Sequence, residues 1–271
     1  MKPLFSWQFQ EDELIDAPAV PIWDRGFRYG MSVFETVLIH RGRTVLEAEH
    51  LERLQKAAAA AGFGLPAGLR QALDHRMGGL DESISGMMRI YVTAGDGAPL
   101  AATRESRVFV FGEEALPPSV TERESGWNLH VCRVPATAVL GGWKTGNYWP
   151  HIQALAEARQ SGCDESVVLD LAGSVVSASM ANLFALIDGA LLTPPLVFGA
   201  RDGVLRAWVL QNSSAREEVI TLDDLSRATE CFLTNSRIGI QPARSIEGRE
   251  LPSQSTGRFL YDTYRENILG A

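Results

Sequence analysis

The residue best suited to chemistry is Lys144, set in Gly141-Gly142-Trp143-Lys144-Thr145-Gly146-Asn147-Tyr148-Trp149-Pro150. The only other lysines are Lys2, at the start of the chain, and Lys56, in an alanine-rich helical stretch where a snorkelling surface amine is expected. A lysine packed among Trp143, Tyr148 and Trp149 would lose hydration. Desolvation disfavours the ammonium form and frees the amine to attack a carbonyl or take a proton. That is the requirement for a Schiff-base lysine. The competing reading is a loop lysine whose neighbours merely form a turn.

Two further stretches could bind an anion. Asp202-Gly203-Val204-Leu205 reads as a glycine turn entering a helix, whose leading backbone N–H groups favour negative charge, with Asp202 suited to the N-cap. Cys231-Phe232-Leu233-Thr234-Asn235-Ser236 reads as a strand ending in hydroxyls and an amide. Cys132, Cys163 and Cys231 lie far apart, so neither a disulfide framework nor a zinc site is indicated, and no metal is expected. A net charge of -8 argues against nucleic-acid and anionic-membrane partners. No signal peptide and no long apolar span is visible, so the expected location is the cytoplasm.

The elements that must position these residues follow from periodicity. Residues 1 to 20 read as small edge strands, and Asp24 to Gly30 as a charged, glycine-punctuated turn. Strands are expected at Ser32 to Ile39, at Val45-Leu46, at Met87 to Thr93 and at Arg107 to Phe111. Glu49 to Gly62 places Leu51, Leu54, Ala58 and Ala61 on one helical face, and a second helix covers Ala67 to Met77. The polar, proline-paired run from Gly112 to Ser119 reads as a linker. The chain therefore divides into a small N-terminal α/β domain at 1–115, a linker at 116–121 and a larger domain at 122–271 carrying the lysine. Beyond the linker come a strand at Leu129 to Val134, a helix from Pro150 to Gln160, strands at Glu165 to Leu171 and Asn182 to Ile187, and a helix from about Asp202 to Ser213.

The order of several motifs resembles the class IV aminotransferase family, the fold-type-IV pyridoxal-phosphate enzymes that include branched-chain and D-amino-acid aminotransferases and aminodeoxychorismate lyase. These motifs are Asp24 to Gly30 with Val33-Phe34-Glu35-Thr36, His50-Leu51-Glu52-Arg53-Leu54, Lys144 to Tyr148, Ala181-Asn182-Leu183-Phe184, Gly203 to Arg206, and Phe232 to Ser236 followed by Gln241-Pro242. The resemblance implies a mixed α/β two-domain fold like that of D-amino-acid aminotransferase, a homodimer, a small-molecule amine substrate and pyridoxal 5'-phosphate as cofactor. It implies that Lys144 joins the cofactor covalently and shuttles a proton. Arg53 would meet the phosphate, together with the N–H groups of Val204 and Leu205 and the strand end at Asn235 and Ser236; Tyr148 would meet the phenolic oxygen. Without the resemblance, Arg53 reads as a solvated helix charge.

Two positions depart from the family pattern. The glutamate that bonds the pyridine nitrogen in relatives falls at Ser177, and an arginine used on a substrate carboxylate falls at Ala94. Arg25, Arg28, Arg89 and Arg237 are the candidate replacements for that arginine, with Phe34 and Thr36 as further substrate contacts. The Phe232 to Pro242 run is similar to aminodeoxychorismate lyase, which makes 4-aminobenzoate for the folate branch. Ser32-Val33-Phe34-Glu35 resembles the transaminases. A third reading is a homologue that binds cofactor with catalysis impaired.

Overall fold

The computed structural model describes residues 3–16, 19–102, 105–132 and 142–270. It divides into two units, Met1–Leu116 with Lys144–Asn147, and Pro117–Trp143 with Tyr148–Ala271. The sequence placed Lys144 with the C-terminal domain. Its backbone hydrogen bonds assign it to the first unit instead.

Unit 1 contains β1 (Pro3–Gln10), β2 (Glu13–Asp16), α1 (Arg25–Tyr29), β3 (Ser32–His40), β4 (Arg43–Thr44), α2 (Glu47–Ala60), α3 (Leu69–Met77), β5 (Gly86–Thr93) and β6 (Arg107–Glu113). Its six strands lie in the order β2-β1-β6-β5-β3-β4, every pairing antiparallel. Alternate residues of β3 point to opposite faces, so Val33, Val37 and Ile39 join Leu51, Leu54 and Ala58 of α2 in one core. Full burial of one such leucine stabilises by about 2 kcal/mol. The Asp24–Gly30 stretch, expected as a turn, closes into α1 because the Asp24 carboxylate accepts from Gly26 N–H and caps it. The strand expected at Val45-Leu46 pairs instead at Arg43–Thr44, and Leu46 becomes the N-cap of α2.

Unit 2 contains α4 (Val120–Ser125), β7 (Trp127–Val131), α5 (Trp149–Gln160), β8 (Glu165–Leu169), β9 (Val175–Ala178), β10 (Asn182–Ile187), β11 (Ala190–Thr193), α6 (Val204–Gln211), β12 (Arg216–Glu217), α7 (Leu222–Arg227), β13 (Glu230–Asn235), β14 (Gly239–Ile246), β15 (Arg249–Glu250) and α8 (Ser255–Tyr264). The strand order is β12-β11-β10-β13-β14-β7-β8-β9, with β15 beside β14. Strand β7 runs parallel to both β14 and β8, so the sheet is mixed. The start of the expected 129–134 strand is present in β7, while Arg133 and Val134 lie outside the described residues. Among the described residues no helix is long and apolar enough to cross a membrane.

Candidate active site

In unit 1 the lysine segment is sewn to the start of β3. Phe34 N–H donates to the Lys144 carbonyl at 2.8 Å, Gly146 N–H donates to the Ser32 carbonyl at 2.9 Å, and Thr145 bridges Val33. Gly146 permits this approach, because a Cβ there would lie 2.2 Å from Ser32 Oγ. The Lys144 ammonium stands 4.4 Å from the Phe34 ring centroid. Phe34 stacks on Tyr91 at 4.7 Å, and Tyr91 on Phe111 at 5.8 Å. The aromatic beneath the amine is thus Phe34, on a strand more than a hundred residues away in sequence. Trp149, expected beside the lysine, is 67 % exposed.

One residue beyond Phe34 the side chain turns to the other face, and Glu35 is buried against α2. Arg53 holds it in a two-pronged grip, Nε to Oε1 at 2.7 Å and Nη2 to Oε2 at 2.6 Å, and His50 Nδ1 meets Oε2 at 2.8 Å. Burial pushes the Glu35 carboxyl upward. The Arg53 charge and the bonds from His50 and Arg53 outweigh that and bring it down to about 2. Burial lowers His50 below its ordinary value, against the pull of Glu35 and with help from the Arg53 and Lys144 charges. A neutral His50 donating Nδ1–H to an ionised Glu35 satisfies both shifts, which leaves Arg53 as the main counter-charge. Arg53 is therefore an oriented, charge-assisted pair member rather than a solvated helix charge. Sequence reading missed Glu35 and His50 as site residues. The signal was Glu35 falling in phase with Val33, Val37 and Ile39.

The expected substrate contacts of unit 1 are already engaged. Arg89 donates to Glu113 at 2.9 and 2.7 Å and to the Thr36 hydroxyl at 3.4 Å. Arg28 stacks over Trp23 and Tyr29, and all three lie at the surface. Arg25 is 1 % exposed and donates to the carbonyls of Ala94, Gly95 and Ala101, so its guanidinium braces the 94–101 loop. That corrects its candidacy as a substrate cation.

In unit 2 the helix α6 starts one residue later than expected. Its N-cap is Gly203, with no side-chain cap, and Asp202 stands outside it. The leading N–H groups, including those of Val204 and Leu205, are thereby presented without a competing side-chain oxygen. A Cβ on Gly203 would lie 2.0 Å from Asn182 Oδ1, so only glycine fits this cradle. Asn182 also donates to the Arg201 carbonyl at 2.7 Å. The Asn235 side chain is committed to fold, donating to the Met180 carbonyl and accepting from Arg237 and Ile238 N–H, and this shapes the turn bearing Ser236. Ser177 lies on β9, a strand the sequence reading missed, and its hydroxyl donates to the Ala178 carbonyl at 2.8 Å. Glu165 pins the adjoining turn by accepting from the Ser179 hydroxyl and Ser166 N–H, and burial pushes its carboxyl upward. Tyr148 accepts from Arg201 Nη1 at 3.2 Å.

Each unit by itself offers groups that suit part of a phosphorylated aldehyde cofactor: unit 1 an amine on an aromatic floor and a fixed guanidinium, unit 2 an uncapped helix start over a glycine cradle. Comparison with known proteins agrees. The chain is 29% identical over 255 residues to a branched-chain-amino-acid aminotransferase of Salmonella typhimurium, covering 84% of this chain and 80% of that one. It is 28% identical over 243 residues to the aminodeoxychorismate lyase of Vibrio harveyi, covering 85% and 89%. The crystal structure of 4-amino-4-deoxychorismate lyase from Pseudomonas aeruginosa superposes with a TM-score of 0.87 at 28% identity, covering 97% of this chain and 99% of that one. The profile of amino-transferase class IV matches residues 32–246, a span that takes in Glu35, Arg53, Lys144 and the α6 cradle. The chain belongs to the class IV aminotransferase family and is a pyridoxal-phosphate-dependent aminotransferase or lyase.

Proposed function

We propose that the chain is an aminodeoxychorismate lyase, eliminating pyruvate from 4-amino-4-deoxychorismate to give 4-aminobenzoate. The observation that carries this reading is Ser177, a neutral hydroxyl bonded to its own neighbour's carbonyl where relatives place a glutamate against the pyridine nitrogen. A serine does not hold that nitrogen protonated as a carboxylate does. The loss weakens carbanion stabilisation, which penalises reversible amino transfer more than an elimination driven by aromatisation. Likeness to the two lyases over nearly their whole lengths supports the same reading.

The bound cofactor supplies the electron sink. Lys144 is the amine that would hold it, and the same amine, when free, would take the proton from ring C4 of the substrate. The C3–O bond then breaks, and the departing enolpyruvyl fragment leaves as pyruvate after gaining a proton at its methylene carbon. Arg53, held rigid by Glu35, would serve the phosphate as a fixed cation. The Val204 and Leu205 N–H groups and the turn at Asn235 and Ser236 offer neutral donors to an anion. Tyr148 would donate to the cofactor's phenolic oxygen. Phe34 and Thr36 contact the substrate, and we place the enzyme in the cytoplasm as a homodimer.

Amino transfer on branched-chain or D-amino acids is the second reading, favoured by the Salmonella relative and by the Val33-Phe34-Glu35 stretch. Incubating the reconstituted protein with aminodeoxychorismate and, separately, with leucine plus 2-oxoglutarate separates the two. Release of 4-aminobenzoate supports the lyase. Glutamate formation alone supports the transaminase. A borohydride-reducible cofactor band with turnover of neither identifies an impaired homologue.

A further inference from the structure

Arg201 is the cation of unit 2 that the motifs did not single out. Its backbone is fixed just ahead of α6, where its carbonyl accepts from Asn182 Nδ2 at 2.7 Å and from Gly203 N–H at 2.8 Å. Its guanidinium leans over Tyr148, 5.5 Å from the ring centroid, and Nη1 donates to the Tyr148 hydroxyl at 3.2 Å. Its Nε is buried and has no hydrogen-bond partner among the described residues. His151 also lies against the Tyr148 ring, at 4.8 Å between centroids.

A buried N–H without a partner costs free energy unless it meets an acceptor in the working state. A phenol whose oxygen accepts from a guanidinium is polarised, and so becomes the stronger donor to a third group.

We propose that Arg201 is a positioning residue which, through the Tyr148 hydroxyl, delivers positive charge to the phenolic oxygen of the cofactor. This rests on the reading of Tyr148 as the phenolic-oxygen donor. Arg201 occupies an acceptor position of that hydroxyl and so constrains its direction.

The test uses enzyme reconstituted with pyridoxal 5'-phosphate and follows the pH midpoint of the visible lysine–cofactor band, alongside cofactor affinity. Removing a nearby cation favours the protonated form, so Arg201→Leu is expected to raise that midpoint by about one unit, roughly a tenfold change in proton affinity. Arg201→Lys, which keeps the charge, recovers at least half of the change. In a Tyr148→Phe background, Arg201→Leu adds less than a third of its effect. Arg201→Gln replaces Arg201→Leu if the leucine variant does not fold. A midpoint unchanged within about 0.2 units in Arg201→Leu overturns the proposal, as does an undiminished shift in the Tyr148→Phe background. Native enzyme lacking any borohydride-reducible band would overturn the underlying reading of Lys144 as well, which keeps the two failures distinguishable.

Discussion

Replacing Glu35 with glutamine tests the electrostatic centre of unit 1. The carboxyl is 1 % exposed and held down from 4.5 to about 2, which by linkage corresponds to about 3 kcal/mol of stability when the group is fully ionised. Because the folded pKa is depressed, this stabilisation is complete above pH 4.5 and is lost as pH falls toward 2. His50 adds in the same sense. Its lowered pKa means that the neutral ring favours the folded state above pH 6.5, a contribution that declines as acid protonates it. Glu35→Gln leaves Arg53 facing an amide in a mostly buried site, and it should cost about 3 kcal/mol at pH 7. Hydrogen exchange of the β3 and α2 amides reports unit 1 without assuming that the whole chain unfolds in one step. The deficit should shrink to about 1 kcal/mol near pH 3, where the unfolded-state carboxyl is largely protonated while the folded one still carries most of its charge. A deficit that stays constant from pH 7 to pH 3, or one below about 1 kcal/mol at pH 7, refutes the assignment of Glu35 as the ionised anchor of Arg53.

Three more outcomes are expected. Ser177→Glu should raise leucine-to-2-oxoglutarate amino transfer, read in a coupled glutamate assay, and an unchanged rate counts against the ring-nitrogen argument. Gly203→Ala pushes a Cβ to 2.0 Å from Asn182 Oδ1, so it should destabilise by about 1–3 kcal/mol and weaken cofactor retention, both readable by thermal melts with and without pyridoxal phosphate. Arg89→Met should leave the KM for an acidic substrate within about threefold, since that guanidinium is already neutralised by Glu113; a tenfold rise would restore Arg89 as a substrate contact.

The chemistry-bearing residues were legible wherever type and spacing announced them. Lys144 stood out by rarity, and the glycine turn before α6 by composition. The Ser32–His40 and Asn182–Ile187 strands announced themselves through β-branched and aromatic runs. What escaped depends on tertiary partners. Glu35 reads as an ordinary strand charge until α2 lays His50 and Arg53 across it, and Arg201 reads as a loop charge until Tyr148 is placed beneath it. The aromatic floor under Lys144 came from Phe34 because backbone pairing, invisible in local sequence, brings that segment to β3. The helix α1 was hidden by Gly26 and Gly30, which read as turn residues although an Asp24 cap stabilises the short helix Arg25–Tyr29. Asp202 looked like the better cap, but the helix starts after it.

The stitching of residues 144–147 onto β3 has a consequence for biosynthesis. Until that short stretch emerges from the ribosome, the backbone N–H of Phe34 and the carbonyl of Ser32 lack their native partners, although residues 1–116 have all been made. A fragment ending at Leu116 would therefore display a raw strand margin and be prone to self-association. Supplying a peptide that spans Trp143 to Tyr148 should quiet it, so the polypeptide completes its first half only by reaching back from within its second.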